Sequence, residues 1–188
     1  MSLFEYVMLL VSVVLSLGIA RLLESHAHLL KLGKSVRWSW TYLLWLVLIF
    51  VCHIDLWGSL WVLRSEPVWT LPALLATILA AMALFYAAVL SIPEHVKGEP
   101  LDLWEFHMAN RHRYVGALAA YLVLGIILNA FVLGGDFAAA NVTTALPGMA
   151  LLAVAIFVRN RWVQVVVPLL LAGLLAVYFA QYLPAFKA

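Results

Sequence analysis

Six apolar runs, each long enough to cross a bilayer, leave this chain few folds to choose from. They cover residues 3–23, 38–63, 68–92, 114–133, 137–158 and 162–183 of a 188-residue sequence. A membrane-crossing helix needs ~20 apolar residues, so the spans and their short connections use up the whole length. Hydrocarbon cannot satisfy an open backbone group, which leaves helical bundles and closed barrels. These runs are too long and too little alternating for barrel strands. The expectation is one all-α domain over residues 1–188, a six-span transmembrane bundle. Composition agrees, because 11% of residues are charged and the mean hydropathy is +1.06, against about 25% charged in an ordinary soluble domain.

The first run, FEYVMLLVSVVLSLGIARLL, has a lone acid, Glu5, before its apolar stretch, and Arg21 after it. A cleaved secretory signal has the opposite charge order, with basic residues first, so the segment is read as a retained span. No helix breaker follows before Gly33. The helix is expected to continue through Glu24, His28 and Lys31, projecting one or two turns beyond the membrane, with the other spans packed around it.

Orientation follows from the cations. Alternating the loops puts Arg21, Lys31, Lys34, Arg37, Lys97, Arg111, Arg113, Arg159 and Arg161 on one side and leaves Arg64 and Lys187 on the other. The positive-inside rule makes the first side cytoplasmic and puts both termini outside, periplasmic in a bacterial inner membrane. Trp38, Trp40, Trp61, Trp69, Trp104 and Trp162 fall near span ends, as an aromatic belt requires. The one long polar stretch, residues 94–113, carries Pro100 and then Leu101, Leu103, Trp104 and Phe106. It is expected to form a short interfacial helix over about 101–112, separate from the fourth span. Pro147-Gly148 and Pro168 are candidate kinks in the last two spans. LSLGI at Leu15–Ile19 parallels LVLGI at Leu122–Ile126. Such matches arise easily in apolar sequence; as a genuine repeat, this one would relate two three-span halves in inverted orientation.

Ionisable and polar groups within spans are costly, and are functional candidates for that reason. Asp55 is the clearest. On a helical wheel it lies towards Cys52 and Ser59, with His53 on a nearly opposite face. Asn129 and Glu5 lie at similar depth, and Glu5, Ser12 and Ser16 share one stripe of the first helix. Glu5, Ser12, Ser16, Asp55 and Asn129 together could line a ligand-binding polar cavity in the outer half. The competing reading makes Asp55 and Asn129 interhelical hydrogen-bonding glue, with Ser12 and Ser16 allowing close packing. A second group is cytoplasmic: Glu24, His28, Glu94, His95, His107 and His112 supply the donor types of a zinc or non-haem iron site. Their spacing is poor for metal, since His107 and His112 are five residues apart, and the sequence demands no cofactor. Trp38, Trp45, Cys52 and Ser59 recur every seven residues and mark one side of the second span. Cys52 is the only cysteine, so no intramolecular disulfide can form. No nucleophile elbow, phosphate loop or dinucleotide fingerprint occurs.

Phe4-Glu5-Tyr6, the stretch Leu17-Gly18-Ile19-Ala20-Arg21-Leu22-Leu23, the Trp57–Arg64 segment and the Asp102–Arg113 segment together resemble a family of small bacterial multi-pass membrane proteins known as hypothetical proteins. The resemblance covers roughly residues 3 to 130 and implies topology and bacterial origin, with no functional residue to carry over. Three functions stay open: binding or passing a small solute or ion through the outer-half cavity, a scaffold or accessory subunit that recruits partner proteins, and a membrane metalloenzyme using the cytoplasmic histidines. Besides the lipid bilayer, the expected partners are further copies of the chain or another membrane subunit, because so thin a bundle exposes much of its surface. Nucleic acid is not expected.

Overall fold

The computed structural model describes residues 3–61, 70–93, 100–129 and 141–182. Arg64, Glu94, His95, Lys97, Lys187 and the first part of the fifth apolar run lie outside the described residues. Within them are six α-helices, α1 (Leu3–Leu32), α2 (Trp40–Ser59), α3 (Leu71–Leu90), α4 (Leu103–Leu128), α5 (Leu146–Phe157) and α6 (Arg161–Tyr182). A single π-helical turn, Asn141–Ala145, precedes α5. All but α5 are long and apolar enough to cross a membrane.

Local chemistry fixes the boundaries. α1 runs unbroken for 30 residues and ends at Gly33, whose φ of +55° suits a residue without a Cβ. Ser39 and Thr70 accept the Tyr42 and Ala73 backbone N–H groups and so cap α2 and α3. Asp102 does the same for α4 with bonds of 2.9 and 3.1 Å from Trp104 and Glu105. The Asn160 side chain accepts the Trp162 N–H at the start of α6.

The ends of α1, α3 and α5 meet the starts of α2, α4 and α6 at one end of the bundle. There the chain leaving α1 forms a two-residue parallel pairing with the chain entering α4, Val36 opposite Leu101 and Arg37 opposite Asp102. An Arg37–Asp102 ion pair of 3.9 Å lies beside it. The Tyr42 hydroxyl at the start of α2 donates to the Ser91 carbonyl just past α3. Lys31, Lys34, Arg37, Arg111, Arg113, Arg159 and Arg161 all belong to this end, called the basic end below.

Three expectations change. α1 is not the centre of the bundle: α2 and α3 are the most enclosed helices, and α1 and α6 the least. α3 takes the central place because its buried side is largely alanine, including Ala73, Ala76, Ala80, Ala83 and Ala87, which lets α1 and α4 pack closely against it. The interfacial helix and the fourth span are one continuous helix, Leu103–Leu128. At 1.5 Å per residue it is about 39 Å long against a ~30 Å hydrocarbon core. One helix is thus long enough to cross a membrane and still carry polar turns beyond it. Among the described residues the fifth run forms a 12-residue α-helix that follows directly on the π turn, with Pro147 in its first turn. Pro168 does lie inside α6.

Candidate functional site

Asp55 lies one turn before the end of α2, far from the basic end, and is buried. The Tyr121 hydroxyl on α4 donates to its Oδ2 at 2.8 Å, and the Ser59 hydroxyl, one turn along α2, approaches Oδ1 at 3.5 Å. Tyr178 on α6 joins through Ser59 and lies close to the carboxyl. Hydroxyls from α2 and α4 thus reach the carboxyl, with Tyr178 of α6 linked through Ser59, and among the described residues no cation pairs with it. That arrangement distinguishes it from a buried ion pair: a carboxylate in hydrocarbon facing only neutral donors keeps most of its desolvation cost.

The other expected members of this site behave differently. Ser59 and Cys52 lie on the Asp55 side of α2, as the wheel predicted. Glu5 and Ser16 are exposed and Ser12 is half-buried on α1. The hydrogen bonds described for Asp55 are those to Tyr121 and Ser59.

A second polar cluster occupies the basic end. The Gln164 side-chain N–H group donates to the Ala155 and Val158 carbonyls. That turns the Gln164 oxygen towards His107 Nε2 at 3.1 Å, so Nε2 carries the imidazole proton. His107 Nδ1 is then the acceptor for the Tyr114 hydroxyl. Both ring nitrogens are engaged. Trp45 stacks on it at 6.3 Å between centroids and meets Tyr114 edge-on. Arg111 donates from Nε to the Ala155 carbonyl at 3.1 Å, from Nη2 to the Ile156 carbonyl at 3.3 Å, and from Nη1 to the Met108 carbonyl. Gln164 and Arg111 together thus satisfy the carbonyls that α5 leaves open at its C-terminus, where a cation is also favoured by the helix dipole.

The metal candidates do not gather. His28, His112 and Glu24 are exposed, and Glu24 pairs with Arg21 at 3.1 Å. His107 is committed to Tyr114 and Gln164. Among the described residues no three His, Cys, Asp or Glu side chains come together as a metal site. Glu94 and His95 lie outside those residues.

Sequence reasoning missed Tyr114, Tyr121, Gln164 and Tyr178. The signal was the same seven-residue spacing noticed on α2. His107, Tyr114 and Tyr121 repeat every seven residues on α4, and Gln164, Leu171 and Tyr178 on α6. These stripes meet Trp45, Cys52 and Ser59, so the polar residues of three helices share one seam.

Replacing Tyr121 by Phe tests the strength of the carboxyl cluster. Hydrogen bonds between transmembrane helices average about 0.6 kcal/mol and reach about 1.7. The expected loss is therefore about 1 kcal/mol, read from unfolding in mixed micelles. A loss several times larger would mean that the hydroxyl holds the helices together in a way that the 2.8 Å bond does not explain.

The fold and this site define an all-helical bundle with five helices able to span a membrane and one buried, hydroxyl-ringed carboxyl. No protein-family model, curated protein or solved structure matches the chain.

Proposed function

We propose that this is a small multi-pass bacterial inner-membrane protein that takes up a proton at Asp55 in the course of passing an ion or small solute. The basic end is cytoplasmic by the positive-inside rule, which puts Asp55 in the outer half of the membrane and both termini in the periplasm. The observation that carries the reading is the environment of the carboxyl. It is buried, it accepts from the Tyr121 and Ser59 hydroxyls, and no described cation offsets it. A purely structural polar contact between α2 and α4 could be made by an amide or hydroxyl without the cost of an ionisable group.

The test is proton uptake. Purified protein in liposomes, with an imposed pH gradient and a pH-sensitive dye inside, is expected to dissipate the gradient faster than empty vesicles, and Asp55→Asn to abolish the excess rate. Asn keeps the shape and the acceptor oxygen but carries no titratable proton. Infrared difference spectra between acid and alkaline buffer are expected to show a carboxylic-acid carbonyl band that Asp55→Asn removes. Wild type and Asp55→Asn that match empty vesicles and lack that band would overturn the proposal.

A second reading, an accessory subunit or homo-oligomer, is favoured by α6. It is the least enclosed of the five long helices and exposes Leu169, Leu170, Ala176, Val177 and Ala180. Leu substitutions at Ala176 and Ala180 would then convert cross-linked multimers to monomer, whereas a monomeric wild type removes this reading.

A further inference from the structure

We propose that the junction between α1 and α2 is a binding site for an anionic phospholipid, independent of the Asp55 site. A groove at the basic end is walled on one side by His26 and Leu30 of α1 and on the other by Trp38, Trp40 and Leu43 at the start of α2. His26 meets Trp38 edge-on, with ring centroids 6.1 Å apart. Trp40 is 87% exposed and Leu30 59% exposed.

The walls of this groove are apolar and aromatic, and the segment that joins them is basic. The chain that joins them, Leu30 to Trp38, contains Lys31, Lys34 and Arg37 and no acidic residue. All three cations are exposed. Arg37 is the only one with a described acid nearby, Asp102 at 3.9 Å, and that contact is too long and too exposed to neutralise it. An occupant must therefore offer an apolar chain to the groove and a negative group to the basic segment at the level of the interface. An anionic phospholipid does both: its acyl chain lies along Leu30, Trp40 and Leu43, and its phosphate and headgroup meet Lys31 and Lys34. A zwitterionic lipid satisfies the walls and leaves the basic segment with no net counter-charge. The exposed Trp40 ring adds an anchor suited to the headgroup boundary.

Native mass spectrometry of protein released from nanodiscs of equimolar phosphatidylglycerol and phosphatidylcholine reads the selectivity directly. Wild type is expected to retain phosphatidylglycerol preferentially. The double variant K31Q/K34Q leaves the Arg37–Asp102 pair intact and should lower that preference roughly 30-fold, from the surface contribution of two lysines. Trp40→Ala should lower retention of both lipids and leave their ratio unchanged, which separates the groove from the basic segment. Both variants alter exposed side chains, and unchanged melting shows that they fold. Equal retention of the two lipids by wild type, or an unchanged preference in K31Q/K34Q, would overturn the proposal. So would retention of another protein in place of lipid.

Discussion

Arg111→Met is expected to cost about 3 kcal/mol of stability and to loosen α5 from the bundle before the other helices melt. Arg111 is 5% exposed and donates to carbonyls on both α4 and α5. Hydrogen bonds from a charged donor contribute about 1.5–3 kcal/mol each, and an abandoned buried carbonyl costs about 1–3. The three bonds are not additive, and water can reach part of the site, so a total near the value of one or two bonds is the reasonable expectation. Arg111→Lys is a sharp control. It preserves the charge at the C-terminus of α5 but has no planar fork to reach Ala155 and Ile156 together. It should recover about 1 kcal/mol or less of the loss, the part due to the helix dipole. Hydrogen exchange of the α5 amides, together with unfolding in detergent, measures both variants. If Arg111→Met unfolds like wild type, the carbonyls are satisfied some other way and the guanidinium is incidental. The cation-π contact of Arg161 over Trp104, 5.4 Å at the surface, is a useful contrast. Its removal should cost only about 0.5–1 kcal/mol.

That Arg111 turns inward explains the main misreading of the sequence. RHR at 111–113 reads as the place where a surface helix stops and a span begins, because three cationic or polar residues do not belong in hydrocarbon. Helix continuity is a backbone property, however, and nothing between Leu103 and Leu128 breaks it. Arg111 points to α5 while His112 and Arg113 point to solvent. What distinguishes them is tertiary, namely an adjacent helix end with unmet acceptors, and no local pattern encodes that. α1 was legible for the opposite reason, since its length and its stop at Gly33 are local facts. The relation of Asp55 to Ser59 was legible too, because both lie on one helix. Its bond to Tyr121 was not, as it needs the pairing of α2 with α4. The seven-residue stripes of all three helices were present in the sequence. Only the assembled bundle shows that they face one another.

Gly18→Ala is expected to be the other severe substitution, and its sign is informative because local propensity predicts the reverse. In a helix interior, Ala is favoured over Gly by about 1 kcal/mol. Gly18, however, is where α1 crosses α2. A Cβ there would overlap Nε2 of His53 and stand 3.0 Å from Cδ2 of the same ring. The ring cannot simply swing aside. It is fully buried, and its Nδ1–H donates to the Ile49 carbonyl at 2.8 Å. Nε2 has no hydrogen-bond partner among the described residues, so moving the ring sacrifices the one polar contact it has. Overpacking costs typically about 1–3 kcal/mol and sometimes more, and loss of the Ile49 bond adds about 1. The net expectation is a loss of about 1–3 kcal/mol after the propensity gain. A double-mutant cycle isolates the cause. His53→Ala alone leaves a cavity and destabilises, but it makes room for the new methyl. In the His53→Ala background, Gly18→Ala should therefore cost nothing and can recover the propensity gain of about 1 kcal/mol. The coupling between the two sites would then be about 3 kcal/mol, large for a pair of residues in contact. Equal destabilisation by Gly18→Ala in both backgrounds would place the fault in α1 itself, or in its fit against α3. A cost seen only beside His53 makes that ring the element that sets how closely the first two helices approach.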